Sequence, residues 1–402
     1  MLKLIQINRH WLTSRRIKLY SGIAIAFFTA FFFGFIRYSN LVDPKGYTII
    51  SDLTVFWVAA HFGLAGHASA AYSIPQLREA VLAIDQGVKG SFGWFYPPTF
   101  YLLILPLGIL PYLPAYLAFM LPTLACYVLV IYRIVPRNET LWILGSFSGI
   151  WMNLLRGQNG FLTAALAGAA LLCMERRPIL SGILFGLLII KPHLALLFPV
   201  ALIAIGAWRI LLIAAAVSIG FMVTGTAILG VNTFSAWLHA MNAARELMEG
   251  NGPAYWTHMP TIFSFFRLIG APITVSYGAH MIVASCAIAS VWWVWRHCTS
   301  LELRGAVLTA ATCLVSTYLL EYDLTWVALP IAWLSKHALQ YGWLRGEREV
   351  MVAAWIAPFT MGYISQHFVP INIGPLVLIG MLLIVVRRVR VITGNRVLLE
   401  NK

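Results

Sequence analysis

Charge is what this chain has least of. Only 10% of its 402 residues are charged, and fourteen acids stand against 28 lysines and arginines. So few charges exclude a large water-soluble protein, because stretches such as "ILSGILFGLLII" (179 to 190) have no polar face to turn toward water. Cysteine is scarce as well. Cys126, Cys173, Cys286, Cys298 and Cys313 form no CxxC pair, and four of them lie in apolar runs, which speaks against a disulfide framework or a zinc site. No internal repeat and no separate soluble domain can be seen. The net charge of +14 is split among short clusters rather than gathered in one patch, and no nucleic-acid motif accompanies it.

What is present is apolar sequence. The chain is 60% hydrophobic with fifteen tryptophans, and about thirteen apolar segments recur between residues 19 and 387, the pattern of an all-α polytopic membrane protein. Basic clusters alternate with them: "RRIK" (15 to 18), "ERR" (175 to 177), Lys336 to Arg348 and "RRVR" (387 to 390). This is the positive-inside pattern. Both basic ends then face the cytoplasm, so the number of crossings is even: about 12 transmembrane helices and one segment that does not cross. The short, proline-rich segment 97 to 110 is expected to be that re-entrant or short helix. The first apolar stretch, Leu19 to Ile36, shows no small-residue cleavage site and is expected to stay as an uncleaved span. Residues 1–402 read as one transmembrane domain.

With that topology the outer face receives residues 37–96, "RGQNG" (156 to 160), "KPH" (191 to 193), 231–274, "EYD" (321 to 323) and 365 to 372. The first long loop should hold an amphipathic surface helix at 70 to 87, with Leu77, Val81 and Ile84 on one side and Arg78 and Asp85 off it. Asp52 precedes an apolar run and can be read as a helix cap with Ser51, or as a general base in a water-poor pocket; the two roles are compatible. "WFYPPTF" (94 to 100) stiffens a wall with two prolines, or is an interfacial aromatic belt. "RGQNG" is a polar turn or a pair of binding amides, and the lysine and histidine of "KPH" either snorkel or hold an anion. Glu321 and Asp323 are costly in apolar surroundings unless they meet cations, and Lys191 or Arg156 would serve.

In order and spacing these motifs resemble glycosyltransferase family 87, also labelled domain of unknown function 2029, within the GT-C superfamily. The resemblance runs from about residue 20 to 340: Ser51-Asp52 then Phe56-Trp57-Val58-Ala59-Ala60, Ala71-Tyr72, Tyr96-Pro97-Pro98 with Pro106-Leu107, Gly157-Gln158-Asn159, Lys191-Pro192 and Tyr322-Asp323. One departure is "THMPTIFSFFRLIG" (257 to 270), where only Ser264 stands for an expected amide and serine.

The resemblance implies a GT-C type helical bundle that moves mannose or another sugar from a polyprenyl-phosphate donor to a lipid or glycan acceptor. The site would face the periplasm from the bacterial inner membrane, in cell-envelope glycan synthesis. Asp52 would be the catalytic base of an inverting transfer. Lys191, Arg156, His193 and His258 would support the leaving phosphate, while Tyr96, Gln158, Asn159, Glu321 and Asp323 would bind substrate. Trp94, Tyr96 and Trp256 would stack on sugars or line a prenyl groove, or else anchor at the interface. No DxD-type pair occurs in the outer loops, so neither metal nor other cofactor is expected. The expected partners are the lipid-linked sugar, the acceptor and membrane lipids, with no nucleic acid. A transporter or flippase is the rival reading, although the polar groups gather at helix ends. An O-acyltransferase would need a buried histidine, for which His280 is the nearest residue.

Overall fold

The computed structural model describes residues 10–38, 52–84, 93–250, 252–369 and 371–400. Ser51 and Asp85 lie outside the described residues. Among the described residues the fold is entirely helical. The first half holds α1 (Ser14–Tyr38), α2 (Asp52–Leu64), α3 (Ile74–Ile84), α4 (Pro98–Ile104), α5 (Tyr112–Ile134), α6 (Asn138–Gly145), α7 (Ser148–Arg156), α8 (Gly160–Cys173), α9 (Pro178–Leu187), α10 (Pro192–Ala195) and α11 (Leu197–Ala204). The second half holds α12 (Trp208–Leu229), α13 (Val231–Gly250), α14 (Pro253–Trp256), α15 (Ile262–Leu268), α16 (Ile273–His297), α17 (Leu301–Val315), α18 (Ala328–Tyr341), α19 (Glu347–His367) and α20 (Gly374–Glu400).

Among the described residues, four helices are long and apolar enough to cross a membrane: Ser14–Gly34, Tyr112–Ile134, Trp208–Leu229 and Ile273–His297. Most other expected spans are shorter or broken, while α19 and α20 are long enough, at 21 and 27 residues, but are not among the sufficiently apolar helices, so a count of about 12 is not reached among the described residues. The run 140 to 155 divides at Ser146 and Phe147 into α6 and α7. Segment 97 to 110 is short as expected, α4 followed by a 3-10 turn at Leu105–Ile109, with Pro106 preventing a regular continuation. The region 70 to 87 also divides, into a 3-10 turn at Ala68–Tyr72 and α3. Leu77 and Val81 are buried against α2 while Arg78 is exposed, so the apolar face is covered by protein rather than by lipid.

Glycines report the helix directions. A Cβ on Gly182 would fall 2.7 Å from Ile213 Cβ, and one on Gly186 2.6 Å from Val217 Cβ. Contacts that advance together along both helices make α9 and α12 parallel, so the leg through α10 and α11 returns between them. Likewise Tyr127 meets Phe161 at 5.4 Å between ring centres, and Gly168 faces Val130 further along, so α5 and α8 are parallel. The start of α5 is tied to the end of α7 by Tyr116, whose hydroxyl donates to Leu154 O at 2.7 Å. Gly225 near the end of α12 faces Pro98 O. Residues 52, 96, 158, 191 and 321 therefore gather at one end of the bundle, and Arg133, Arg176, Arg209 and Lys336 lie on the helix ends opposite.

The core of that bundle is α17, buried continuously from Gly305 to Leu314. Its Gly305, Ala306, Ala310 and Ala311 allow α16, α18 and α20 to approach closely.

Candidate active site

Asp52 stands in the first turn of α2. Unpaired amides at a helix start favour a negative charge there. Its Oδ2 accepts a hydrogen bond of 2.9 Å from Gln158 Nε2. The amide cannot turn over without loss, because Gln158 Oε1 already accepts from the Tyr96 hydroxyl at 2.8 Å and from the Asn159 N–H at 3.2 Å. Burial raises the Asp52 pKa above the usual carboxylate value, against the opposing pull of Arg156 and of the Gln158 hydrogen bond.

The loop that carries Gln158 is held from below. α7 ends at Gly157 in the left-handed region, φ 65°, where a glycine costs little. Asn153, fully buried, donates to Gln158 O at 3.0 Å and accepts from Gly160 N–H at 3.1 Å, closing the turn. Sequence reading missed Asn153; the signal was an amide inside an apolar run.

Two acid–cation pairs complete the site, and both match the partners expected from sequence. Arg156 Nη2 and Nε donate to Glu321 Oε1 at 2.7 and 3.2 Å, and His258 Nδ1 lies 2.9 Å from Glu321 Oε2. Burial alone would raise the Glu321 pKa, but His258 and Arg156 overcome it and hold it below its ordinary value. Lys191 Nζ donates to Asp323 Oδ1 and, at 3.1 Å, to Asn159 Oδ1, with its charge 5.0 Å from the centre of the Tyr322 ring. The pairs differ in access. The Lys191 side chain is 3% exposed, whereas those of Arg156 and His258 are 40% and 31% exposed. Lys191 and Asp323 thus lie beneath the site, while Arg156 and His258 open onto it.

Asn159 Nδ2 and His193 Nε2 are buried with no hydrogen-bond partner among the described residues. His193 stacks edge-on to Tyr318, whose hydroxyl is 3.3 Å from that of Tyr255, two tyrosines that sequence reading did not single out. Other sequence nominations fall outside. Trp94 and Trp256 are 1% and 6% exposed in packed aromatic or apolar clusters, so neither offers a face for a sugar. Ser264 is buried inside α15, where its N–H donates to the capping Thr261 Oγ1 at 3.2 Å and its hydroxyl donates to Met259 O. His280 is a core histidine beside Val315 O.

Gly362 of α19 closes the wall behind Glu321; a Cβ there would lie 2.8 Å from Glu321 Oε2. Gly362→Ala should displace the carboxylate from His258 and lower turnover about tenfold or more, given the roughly 1–3 kcal/mol usual for overpacking. Gly278→Ala, where the added methyl meets nothing within 4 Å, should leave the rate unchanged. Equal rates for wild type and both variants in a transfer assay would show that Glu321 does not depend on this wall.

Fold and site together define a polytopic helical membrane protein with an acid and its paired cations gathered at one end of the bundle. Residues 94–317, more than half of the chain, match the model of glycosyltransferase family 87, and the chain belongs to that family. It is therefore a membrane glycosyltransferase by family. Neither the curated proteins nor the solved structures contain a match. The matched region holds Tyr96, Arg156, Gln158, Asn159, Lys191, His193 and His258. Asp52, Glu321 and Asp323 lie outside it and join it through the contacts above.

Proposed function

We propose that this glycosyltransferase moves a sugar from a polyprenyl-phosphate donor to a lipid or glycan acceptor at the periplasmic face of the bacterial inner membrane, inverting the anomeric centre, with Asp52 as general base. The observation that carries the reading is the Asp52–Gln158 contact beside the exposed ends of Arg156 and His258. The whole of residues 1–402 would act as one transmembrane unit, with mannose as the first sugar to test.

The chemistry is a single displacement. Asp52 takes the acceptor's hydroxyl proton as the oxygen attacks the anomeric carbon, and the bond from that carbon to the phosphate oxygen breaks. The leaving phosphate carries the charge away, and the guanidinium of Arg156 with His258 would stabilise it as it develops. Both carboxylate oxygens of Glu321 are engaged, Oε1 by Arg156 and Oε2 by His258, which favours one displacement with Asp52 as base over a covalent intermediate on Glu321. Asn159 Nδ2 and His193 Nε2 suit substrate oxygens.

The raised Asp52 pKa fixes the sign of the pH dependence. A base must be ionised, so the rate should fall as pH drops through that pKa, on an acid limb above the ordinary value of about 3.9. Gln158→Leu removes a hydrogen bond to the charged form and should move the limb further up. A limb unmoved by this change, in a profile of kcat/KM, would separate Asp52 from the titrating base.

Donor class is tested on purified protein in liposomes. Label should pass from polyprenyl-phosphate mannose, or from the glucose or arabinose analogue, and EDTA should not reduce it. Transfer only from nucleotide sugars, or abolished by EDTA, would overturn the proposal.

A further inference from the structure

A cavity lies toward the basic end of the bundle, away from Asp52 and Arg156. It encloses about 480 Å³ between the N-terminal turns of α1 and the helices α5, α6, α18 and α19. Its floor is apolar: Ile131, Leu144, Ala328 and Ala332 are all nearly fully buried. Its edge is basic. Arg137 and Arg348 both line it, and among the described residues neither forms an ion pair, while the one acid on the edge, Glu139, is engaged by Ser14 at 2.7 Å and by Lys18 at 3.9 Å.

From this arrangement we infer that the cavity binds one acyl chain of an anionic glycerophospholipid, whose phosphate is held by Arg137 and Arg348. The volume lies within the range of ordinary ligand pockets, about 300–1,000 Å³, and away from the edge its lining is mostly apolar, with a few hydroxyls such as Ser335. Basic pockets between helix ends recognise anionic head groups by charge, while the apolar floor accepts the chain. Trp11 and Trp343 beside the arginines suit the same depth, with the Arg348 guanidinium 4.7 Å from the centre of the Trp343 ring.

The lipid would also explain how α1 is seated. That helix touches the bundle through Ser14 and Lys18 at Glu139, through Ser146 Oγ donating to Ser21 Oγ at 3.0 Å and through Phe28 against Trp151 and Phe359, and its N-terminal turns also border the cavity. A bound chain fills the space between α1 and α18. The inference is independent of the proposed donor and of the reaction.

The test is native mass spectrometry of the full chain in detergent, delipidated and then given palmitoyl-oleoyl phosphatidylglycerol or palmitoyl-oleoyl phosphatidylcholine. Wild type should retain one phosphatidylglycerol with about tenfold preference over phosphatidylcholine, and should melt at a higher temperature with it. Ser335→Phe and Val352→Phe fill the cavity from two different helices, so one failing to fold leaves the other. Each should lose both the adduct and the thermal gain. Arg137→Gln with Arg348→Gln should keep lipid binding but remove the preference. Retention of phosphatidylglycerol by a folded cavity-filling variant, or equal retention of the two lipids by wild type, overturns the inference.

Discussion

Lys191→Met should destabilise the protein by about 3–5 kcal/mol, the cost of leaving one charge of a buried pair without its partner. The pair is closed: Lys191 is 3% exposed and Asp323 0%. Asp323 has a further task, since its Oδ2 accepts from Leu320 N–H at 3.3 Å and so starts the 3-10 turn that carries Glu321. Replacing Asp323 by asparagine keeps that acceptor and removes the charge. Lys191→Met combined with Asp323→Asn should therefore recover most of the loss, to within about 1–2 kcal/mol of wild type. Thermal unfolding of the purified proteins in one detergent measures it. If the single and double variants melt together, the lysine is not there to neutralise Asp323.

Asp52→Asn should lower kcat by about 10²- to 10⁴-fold, the usual contribution of a positioned base, with little change in folding or donor affinity. The asparagine oxygen can still accept from Gln158 Nε2, so the local geometry is retained while the proton acceptor is lost. That separation matters because the helix-cap reading of Asp52 predicts no specific change in turnover: asparagine caps a helix about as well as aspartate, so under that reading both rate and stability should stay near wild type. Single-turnover rate distinguishes them, with melting temperature on the same preparation as the check on folding.

Much of this was legible in the sequence, for physical reasons that differ by feature. A carboxylate in apolar sequence needs a cation, and Lys191 and Arg156 stand in outer connections on the same side as Glu321 and Asp323; each acid found one of them. The gathering of polar loops at one end followed from counting crossings against basic clusters, and the helix directions agree with it. The Asp52–Gln158 contact was not legible, because it joins residues 106 apart and depends on which helices pack together. The break between α6 and α7 carried a local signal, the glycines and serines of "GSFSG" (145 to 149), which a count of apolar residues over 140 to 155 passes over. Trp94 shows the opposite failure. Its neighbours suggested an open aromatic wall, and packing against Phe56, Phe100 and Tyr101 closed it.

Asn372 illustrates how the outer connections brace the site without touching it. Its amide donates to Thr257 O and Met259 O at 2.9 and 3.0 Å, holding the turn on either side of His258. Such braces carry no composition signal, since a single asparagine in a loop is ordinary.

The central claim is that Asp52 is the base of a sugar transfer from a lipid-linked donor. Its most direct measurement is the transfer of label from polyprenyl-phosphate mannose, then from its glucose and arabinose analogues, into lipid extract by wild type and by Asp52→Asn at equal amounts of folded protein. The account predicts a labelled product with wild type and at least about a hundredfold less with the variant. Equal labelling by the two proteins would contradict it and leave Asp52 as a structural residue of α2.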